Sequence, residues 1–348
     1  MPTSIGEYLG RRTDIDDPPI YPSALKPKVV PTCPFMGKEC SKLKGKLSLH
    51  PVCSLRAPDG RPWIVCTDRL IPAKANAITA HHISILAGVA NLLFPGINVR
   101  DIGFRRQQEI RLKGKKKVVL DYAIRTREIV SGVRSKAILE IQGGGESSST
   151  GNITRHVVAW SKENPATNEF LRQGIPTVGI IPNNAWKRQL EQIFRKVAVA
   201  RRFDAGFALV MGEVLYDYVI DILGGGREYF PGWDVSLFSI GETLGQQPGA
   251  IAIDRVNKAS FVTYDEFIRA VSNFPMPKTL PDPFGGDFTT LTNEEFSIIP
   301  QPSVSDDEVE VALPYAGLEE VLIDDSVVDD DGEGGGAIVN NPDPETSY

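Results

Sequence analysis

The sequence predicts an α/β protein in which a mixed β-sheet, flanked by helices, is joined to a small N-terminal cysteine module. Three observations lead to this prediction. Two apolar runs, residues 118–124 and 133–142, alternate with the period of two that is typical of strands. Residues 184–203 repeat apolar side chains at helical spacing. All four cysteines fall within the first 66 residues.

The other elements are assigned from the same two periods and from clusters of turn residues. Residues 215–300 give no clear order, and the chain after residue 300 is predicted to be disordered. In chain order, the remaining assignments are an extended arm (1–32), the cysteine module (33–72), a helix (76–94), an extended segment (104–112), a basic turn (113–117), a Gly/Ser-rich loop (143–151), a helix (152–162), a short strand (177–182) and a strand (207–214).

Length and composition indicate a soluble protein. The chain has 348 residues, enough for one large domain or two smaller ones, and its 41% hydrophobic and 24% charged content is ordinary for a globular fold. The N-terminus lacks the apolar run of a signal peptide, and the longest apolar stretch, residues 83–94, is too short to span a membrane. We therefore expect a cytoplasmic location and no membrane contact.

The net charge of −6 conceals an uneven distribution. Residues 301–348 hold 14 acidic side chains and no Lys or Arg, so subtracting these from the 44 acids of the chain leaves 30 acids against 38 basic side chains. Residues 1–300 therefore carry a net charge of +8, which suits a polyanion such as nucleic acid. A solvated charged surface would give the same count. The acidic tail is either a competitor of DNA for the basic surface or a solubilising segment.

Polar side chains interrupt the two apolar strands at three positions. Asp121 is expected to lie on the face opposite Leu120 and Tyr122, and Glu140 and Gln142 are two residues apart and point the same way. Burying such groups costs free energy unless they meet a partner or a metal. Asp and Glu supply the oxygen ligands that Mg²⁺ prefers, and an amide can hold an attacking water. This pattern resembles that of the PD-(D/E)xK nucleases with Gln in place of Lys, although a surface acid is the simpler explanation of Asp121.

Glu109 is a further candidate for the same site. If the hairpin turn is centred on Lys115, Glu109 faces Asp121, and such a pair of like charges would need a metal between them. A slip of one residue places Gln108 there instead. The alternative is a surface glutamate paired with Arg111.

The cysteines follow the spacing C-x6-C-x12-C-x12-C, which differs from the paired C-x2-C of a zinc ribbon. In a cytoplasmic protein, this clustering indicates a metal site more readily than disulfides. Four thiolates make a tetrahedral site for Fe or Zn, and the module has few large apolar residues, so a metal would contribute much of its folding free energy. Four unrelated buried thiols are the alternative. The cysteines are Cys33, Cys40, Cys53 and Cys66.

Two runs, TCPFMGKEC and HPVCSLRAPDGRPWIVCTDRLIP, followed by Asp121 and LEIQGGGE, resemble the NotI-type restriction endonucleases over roughly residues 31–214. The resemblance implies a PD-(D/E)xK core, a homodimer, and Mg²⁺-dependent cleavage of a palindromic, GC-rich site in double-stranded DNA. It also implies that Asp121, Glu140 and Gln142 form the active site. The four cysteines would ligate a structural iron close to the DNA.

These expectations divide the chain into an N-terminal arm with a cysteine module (1–72), a nuclease core with its DNA-recognition elements (73–300) and an acidic tail (301–348). The leading hypothesis is a type II restriction endonuclease with a cognate DNA methyltransferase as its functional, non-physical partner. Two alternatives are a metal-stapled, sequence-specific DNA-binding protein without catalysis, and a repair or mobile-element nuclease on the same fold.

Overall fold

The computed structural model describes residues 2–15, 31–43, 51–111, 117–145, 150–163, 167–243, 250–253, 255–267, 282, 284–286, 288–290 and 295–296. These residues belong to one compact unit, Met1–Ile299. The predicted acidic tail, most of the basic turn at 113–117 and residues 146–149 of the Gly/Ser-rich loop lie outside the described residues.

The described strands and helices confirm an α/β fold. The strands are β1 (Ser4–Tyr8), β2 (Arg11–Arg12), β3 (Thr32–Cys33), β4 (Lys38–Glu39), β5 (Val52–Arg56), β6 (Pro62–Ile64), β7 (Ile102–Arg111), β8 (Lys117–Thr126), β9 (Lys136–Gln142), β10 (Gly206–Gly212), β11 (Val235–Gly241), β12 (Arg255–Val262), β13 (Phe288–Thr290) and β14 (Glu295–Phe296). The helices are α1 (Ala80–Leu93), α2 (Thr150–Glu163), α3 (Glu169–Arg172), α4 (Pro182–Arg202), α5 (Glu213–Ile222) and α6 (Tyr264–Phe267).

The main sheet is mixed, with the strand order β12-β11-β10-β9-β8-β7-β13-β14. Strands β7, β8 and β9 form an antiparallel meander, and β10 then pairs in parallel with β9 after the chain has passed through α4. A smaller sheet has the order β2-β1-β5-β6, and β3 pairs with β4. The predicted mixed sheet flanked by helices is therefore confirmed.

Two hydrophobic clusters cover the two faces of the main sheet. On β9, Ala137 and Leu139 belong to the cluster that contains α1, whereas Ile138 belongs to the cluster that contains α2, α4 and α5. Strand β10 is buried on both faces, which explains its uninterrupted apolar sequence. The central strands are consequently fixed from both sides.

The prediction of an extended arm is wrong for its first residues. Strand β1 pairs with β5 of the cysteine module, and its Ile5 and Tyr8 are buried. The Tyr8 ring also packs edge-on against Trp160 of α2, with 5.2 Å between the ring centres. The N-terminal residues are therefore part of the same core as the main sheet.

The predicted strand at 177–182 is also wrong. Residues 175–178 form a turn, and α4 begins at Pro182, four residues further on. Thr177 has a φ of +61°, which is incompatible with a strand. The predicted helices at 76–94, 152–162 and 184–203 are confirmed as α1, α2 and α4. Among the described residues, no helix combines the length and the apolar character needed to cross a bilayer.

Candidate active site

The candidate active site lies where β8 separates from β9. Their last paired residues are Tyr122 and Leu139, so Asp121 and Glu140 come next on each strand. There the Asp121 carboxylate accepts a hydrogen bond from the Ile141 N–H, at 3.1 Å, in place of a backbone partner. The structure thus brings together Asp121 and Glu140, which are called the carboxylate pair below.

A break in the strand alternation occurs at this point. Leu120 and Ala123 pack into the cluster on the α4 face, whereas Tyr122 packs into the opposite cluster, so the predicted common face of Leu120 and Tyr122 is wrong. On the neighbouring strand β7, Gln107 has a φ of +52°, which is uncommon for a residue other than glycine. The amide Nε2 of Gln107 donates to Asp121 Oδ1 at 3.4 Å. The local bend therefore places a donor beside the carboxylate.

Glu140 has an ion-pair partner that the sequence analysis did not identify. Lys196 of α4 donates from Nζ to Glu140 Oε1, and only 7% of the lysine side chain is exposed. The second oxygen, Glu140 Oε2, is buried and has no hydrogen-bond partner among the described residues. One half of this carboxylate is therefore satisfied, whereas burial of the other half is not compensated by any described hydrogen-bond donor.

Burial and mutual repulsion both act on the carboxylate pair. Burial, followed by the charge of Asp121, raises the pKa of Glu140 to about 7, against the opposing effect of Lys196. Burial also raises the pKa of Asp121, although the hydrogen bond from the Ile141 N–H and the charge of Lys196 oppose that shift. The pair thus titrates closer to neutral pH than free carboxylates do.

Gln142 lies at the end of β9 and is buried. Its Nε2 donates to the Gly143 carbonyl at 2.7 Å, which fixes the amide plane. With the amide plane fixed in this way, Oε1, the acceptor of this side chain, is held in position to accept a hydrogen bond from water.

The predicted register of Glu109 is wrong by two residues. Glu109 pairs with Val119, and the position across from Asp121 belongs to Gln107. The Glu109 side chain is exposed and forms an ion pair with Lys117 at 2.9 Å. Glu109 is therefore a surface residue, and we do not include it in the site.

The charged residues of the helix predicted at 184–203, Lys196 among them, are expected to lie off its apolar stripe. For Lys196 this expectation is wrong, because the side chain is buried. The helical spacing indicates that Lys196 is buried, because it lies three residues after Ile193 and four before Ala200, both of which face the core. A lysine at core spacing needs an acidic partner. Nothing in the sequence around Gln107 indicates that its side chain contacts Asp121.

A cleft of about 400 Å³ opens beside Gln107, the residue that donates a hydrogen bond to Asp121. It is lined by Ala73, Ala75, Phe104, Arg105, Arg106, Gln107 and Gln108. Arg106 donates to the Ala75 carbonyl at 2.8 Å, and Gln107 links the cleft to Asp121. Arg105 and Arg106 of the predicted extended segment (104–112) therefore line a cleft that Gln107 connects to the candidate site.

All four cysteines are buried and free of disulfides; together they are called the cysteine cluster. Burial raises the pKa of each thiol, that of Cys66 to about 12. The Cys53 sulfur accepts a hydrogen bond from the Gly10 N–H at 3.2 Å. The other sulfurs also face backbone N–H groups: those of Met36 and Phe35 for Cys33, of Lys42 for Cys40 and of Asp68 for Cys66. Such N–H groups stabilise metal-bound thiolates.

The cysteine module packs directly against the chain that follows Gln142. The Gly145 N–H donates to the Ile64 carbonyl at 3.1 Å. A Cβ atom on Gly144 would lie only 2.4 Å from the Trp63 ring. The glycines after β9 are therefore required for close contact with β6.

No profile of a known protein family matches the chain, and no curated protein is significantly similar to it. Among the residues that the structure describes, no three His, Cys, Asp or Glu side chains form a group that would hold a metal ion. The metal sites at the carboxylate pair and the cysteine cluster therefore stay predictions.

Proposed function

We propose that this protein is a type II restriction endonuclease that makes a Mg²⁺-dependent double-strand break at a palindromic, GC-rich DNA site. The observation that carries the proposal is the carboxylate pair at the gap between β8 and β9, with Glu140 Oε2 buried and lacking a partner among the described residues. The meander β7–β9, followed by α4 and the parallel strand β10, supports a PD-(D/E)xK core.

The residues present fit a hard divalent ion. Asp121 and Glu140 would hold Mg²⁺, which prefers carboxylate oxygens and usually takes one or two of them from the protein. The ion, when bound, supplies Lewis acidity at the scissile phosphate and lowers the pKa of the attacking water. Gln142 would orient that water through Oε1, its hydrogen-bond acceptor, while the bond from Nε2 to the Gly143 carbonyl holds the amide in place.

Three further features belong to this proposal. A structural Fe or Zn ion would be held by the four thiolates of Cys33, Cys40, Cys53 and Cys66. The nearby backbone N–H groups would stabilise these thiolates. Double-stranded DNA would lie along the cleft beside Arg106. A palindromic target requires two-fold symmetry, so the active species would be a homodimer, and a cognate DNA methyltransferase would protect the host's own sites.

A direct experiment is to incubate the purified protein with mixed plasmid DNA and Mg²⁺, and then to sequence the fragment ends. We expect discrete fragments with one end sequence. Asp121→Asn should still bind DNA in a gel shift but cut at least about 1,000-fold more slowly, because it removes a charged ion ligand. Asp221→Asn, at an exposed position on α5, is the matched control and should cut normally.

One observation favours a second candidate. Lys196 already pairs with Glu140 without any metal ion. A DNA-binding protein without catalysis would need such a built-in cation, because no metal would bind to its carboxylates. Sequence-specific binding by the wild-type protein without any cleavage in Mg²⁺ would favour this candidate. Fragments with ragged, unrelated ends would instead favour a repair nuclease.

A further inference from the structure

The proposed site lacks a cation in its sequence motif. The third motif position is Gln142, whose neutral amide carries no positive charge to offset the negative charge that develops on a phosphate during hydrolysis. Lys74, which acts on the pKa of Asp121, is an exposed side chain. Arg106 is engaged at the Ala75 carbonyl. Among the described residues, Lys196 is therefore the buried cation in contact with the pair.

The position of Lys196 is built into the fold. Helix α4 packs its buried residues Ile193 and Val197 against the main sheet, and Lys196 lies between them in sequence on the same side. A lysine is almost never fully buried unless it is paired. Its ammonium group donates to Glu140 Oε1, so the burial of Lys196 depends on this carboxylate.

The charges at the site do not balance without an ion. With both carboxylates ionised, Asp121 and Glu140 carry two negative charges and Lys196 carries one positive charge. Glu140 Oε2 has no partner among the described residues. A divalent ion would turn this net negative site into a net positive one, and the repulsion between the ion and Lys196 would weaken the ion pair with Glu140.

From this arrangement we infer that Lys196 takes the place of the divalent ion at Glu140 in the ion-free protein, and moves to a phosphate oxygen of the DNA when the ion binds. The inference rests on the proposed function. The ammonium group keeps its proton and exchanges one hydrogen-bond acceptor for another, so no covalent step is involved. Lys196 thereby supplies the charge that Gln142 does not carry.

The first test measures ion binding without DNA. Mn²⁺ is titrated calorimetrically into the intact protein at pH 8.5, comparing wild type with Lys196→Met and with Lys162→Met, an exposed control on α2. Removing the competing cation should tighten Mn²⁺ binding about tenfold in Lys196→Met and leave the control unchanged. Asp121→Asn removes one proposed ion ligand, so the part of the Mn²⁺ binding heat that it abolishes comes from this site. Unchanged or weaker Mn²⁺ binding in Lys196→Met would overturn the inference.

The second test measures cleavage. Lys196→Met should lower the cleavage rate at least about 100-fold with little change in DNA affinity, and Lys196→Arg should recover part of the rate because it keeps the charge. Equal rates for wild type and Lys196→Met would also refute the inference. If Lys196→Met unfolds, Lys196→Gln replaces it in both tests. If the wild-type protein cuts no DNA, the proposed function fails, while the Mn²⁺ titration still decides whether Lys196 competes with the ion.

Discussion

The carboxylate pair and the cysteine cluster are both sets of buried, ligand-type side chains, but the fold stabilises them in different ways. Glu140 has a buried counter-cation in Lys196, so the carboxylates are partly compensated without any bound ion. The cysteine sulfurs face backbone N–H groups, and burial raises the pKa of every thiol. Under the proposed function, the carboxylate pair would therefore tolerate the loss of its ion, whereas the thiols would need a permanently bound metal to ionise.

Full charges lie close to the cysteine cluster. The Asp68 carboxylate is 3.9 Å from the Cys66 sulfur and, in addition to burial, raises the pKa of that thiol, whereas the charge of Lys42 opposes this shift. Glu7 and Arg69 form a completely buried ion pair at 2.8 Å. The Arg69 guanidinium lies 4.5 Å from the centre of the Phe35 ring, which packs with Cys33, Cys40 and Cys53. Glu7 also accepts hydrogen bonds from Ser54 and from the Ile251 N–H. Because the charges of Glu7 and Arg69 compensate each other, they offer little net charge to thiolates. A bound metal would be the main source of positive charge there.

The largest expected effect follows from removing that metal. Cys66→Ser, or treatment with a strong soft-metal chelator, should release Fe or Zn and lower the free energy of unfolding by at least about 3 kcal/mol. Asp121→Asn should change it by less than about 1 kcal/mol, because it removes a charge that burial already disfavours. Elemental analysis and urea unfolding measure both effects.

The comparison would lose its basis in two cases. In the first, the purified protein contains no transition metal. In the second, Cys66→Ser unfolds at the same urea concentration as the wild type. Either result would identify the four cysteines as ordinary buried thiols.

The carboxylate pair also shows how far sequence reasoning reaches. The period of two was enough to locate β8 and β9 and to bring Asp121 near Glu140, because a buried strand tolerates few polar residues. The register of Glu109 was not predictable in this way, since it depends on the conformation of the hairpin turn. The bend at Gln107 has no local sequence signal either, because glutamine is not a residue that favours positive φ.

The contact between the two regions gives the next largest effect. Gly144→Ala would place a methyl group 2.4 Å from the Trp63 ring, so either the module or the chain after Gln142 must move. We expect a loss of about 1–3 kcal/mol in stability, as for other overpacked sites. Cleavage should slow as well, because Gln142 is displaced.

The matched control for this substitution is Gly151→Ala, where a Cβ atom would meet no other atom within 4 Å. It lies in the first turn of α2 and should be neutral or slightly stabilising. Urea unfolding and cleavage rates are compared for both variants. Wild-type behaviour of Gly144→Ala in both assays would show that the cysteine module and the catalytic strand are not coupled through this contact.

The smallest expected effect is the pH dependence of the carboxylate pair. Glu140, with its pKa raised to about 7, binds its proton more tightly in the folded protein than in the unfolded chain. Its contribution to stability is therefore complete below about pH 4.5 and is lost as the pH rises to about 7.

Ion binding should show the opposite trend, because a metal requires the ionised carboxylate. Mn²⁺ affinity, measured by calorimetry between pH 6 and pH 8, should rise about tenfold and level off above pH 7. Glu140→Gln should bind Mn²⁺ weakly and lose this dependence, whereas Glu169→Gln, at an exposed position on α3, should retain it. A flat profile in the wild-type protein would mean that Glu140 is already ionised at pH 6. Lys196 would then compensate the carboxylate pair more fully than its single contact with Glu140 indicates.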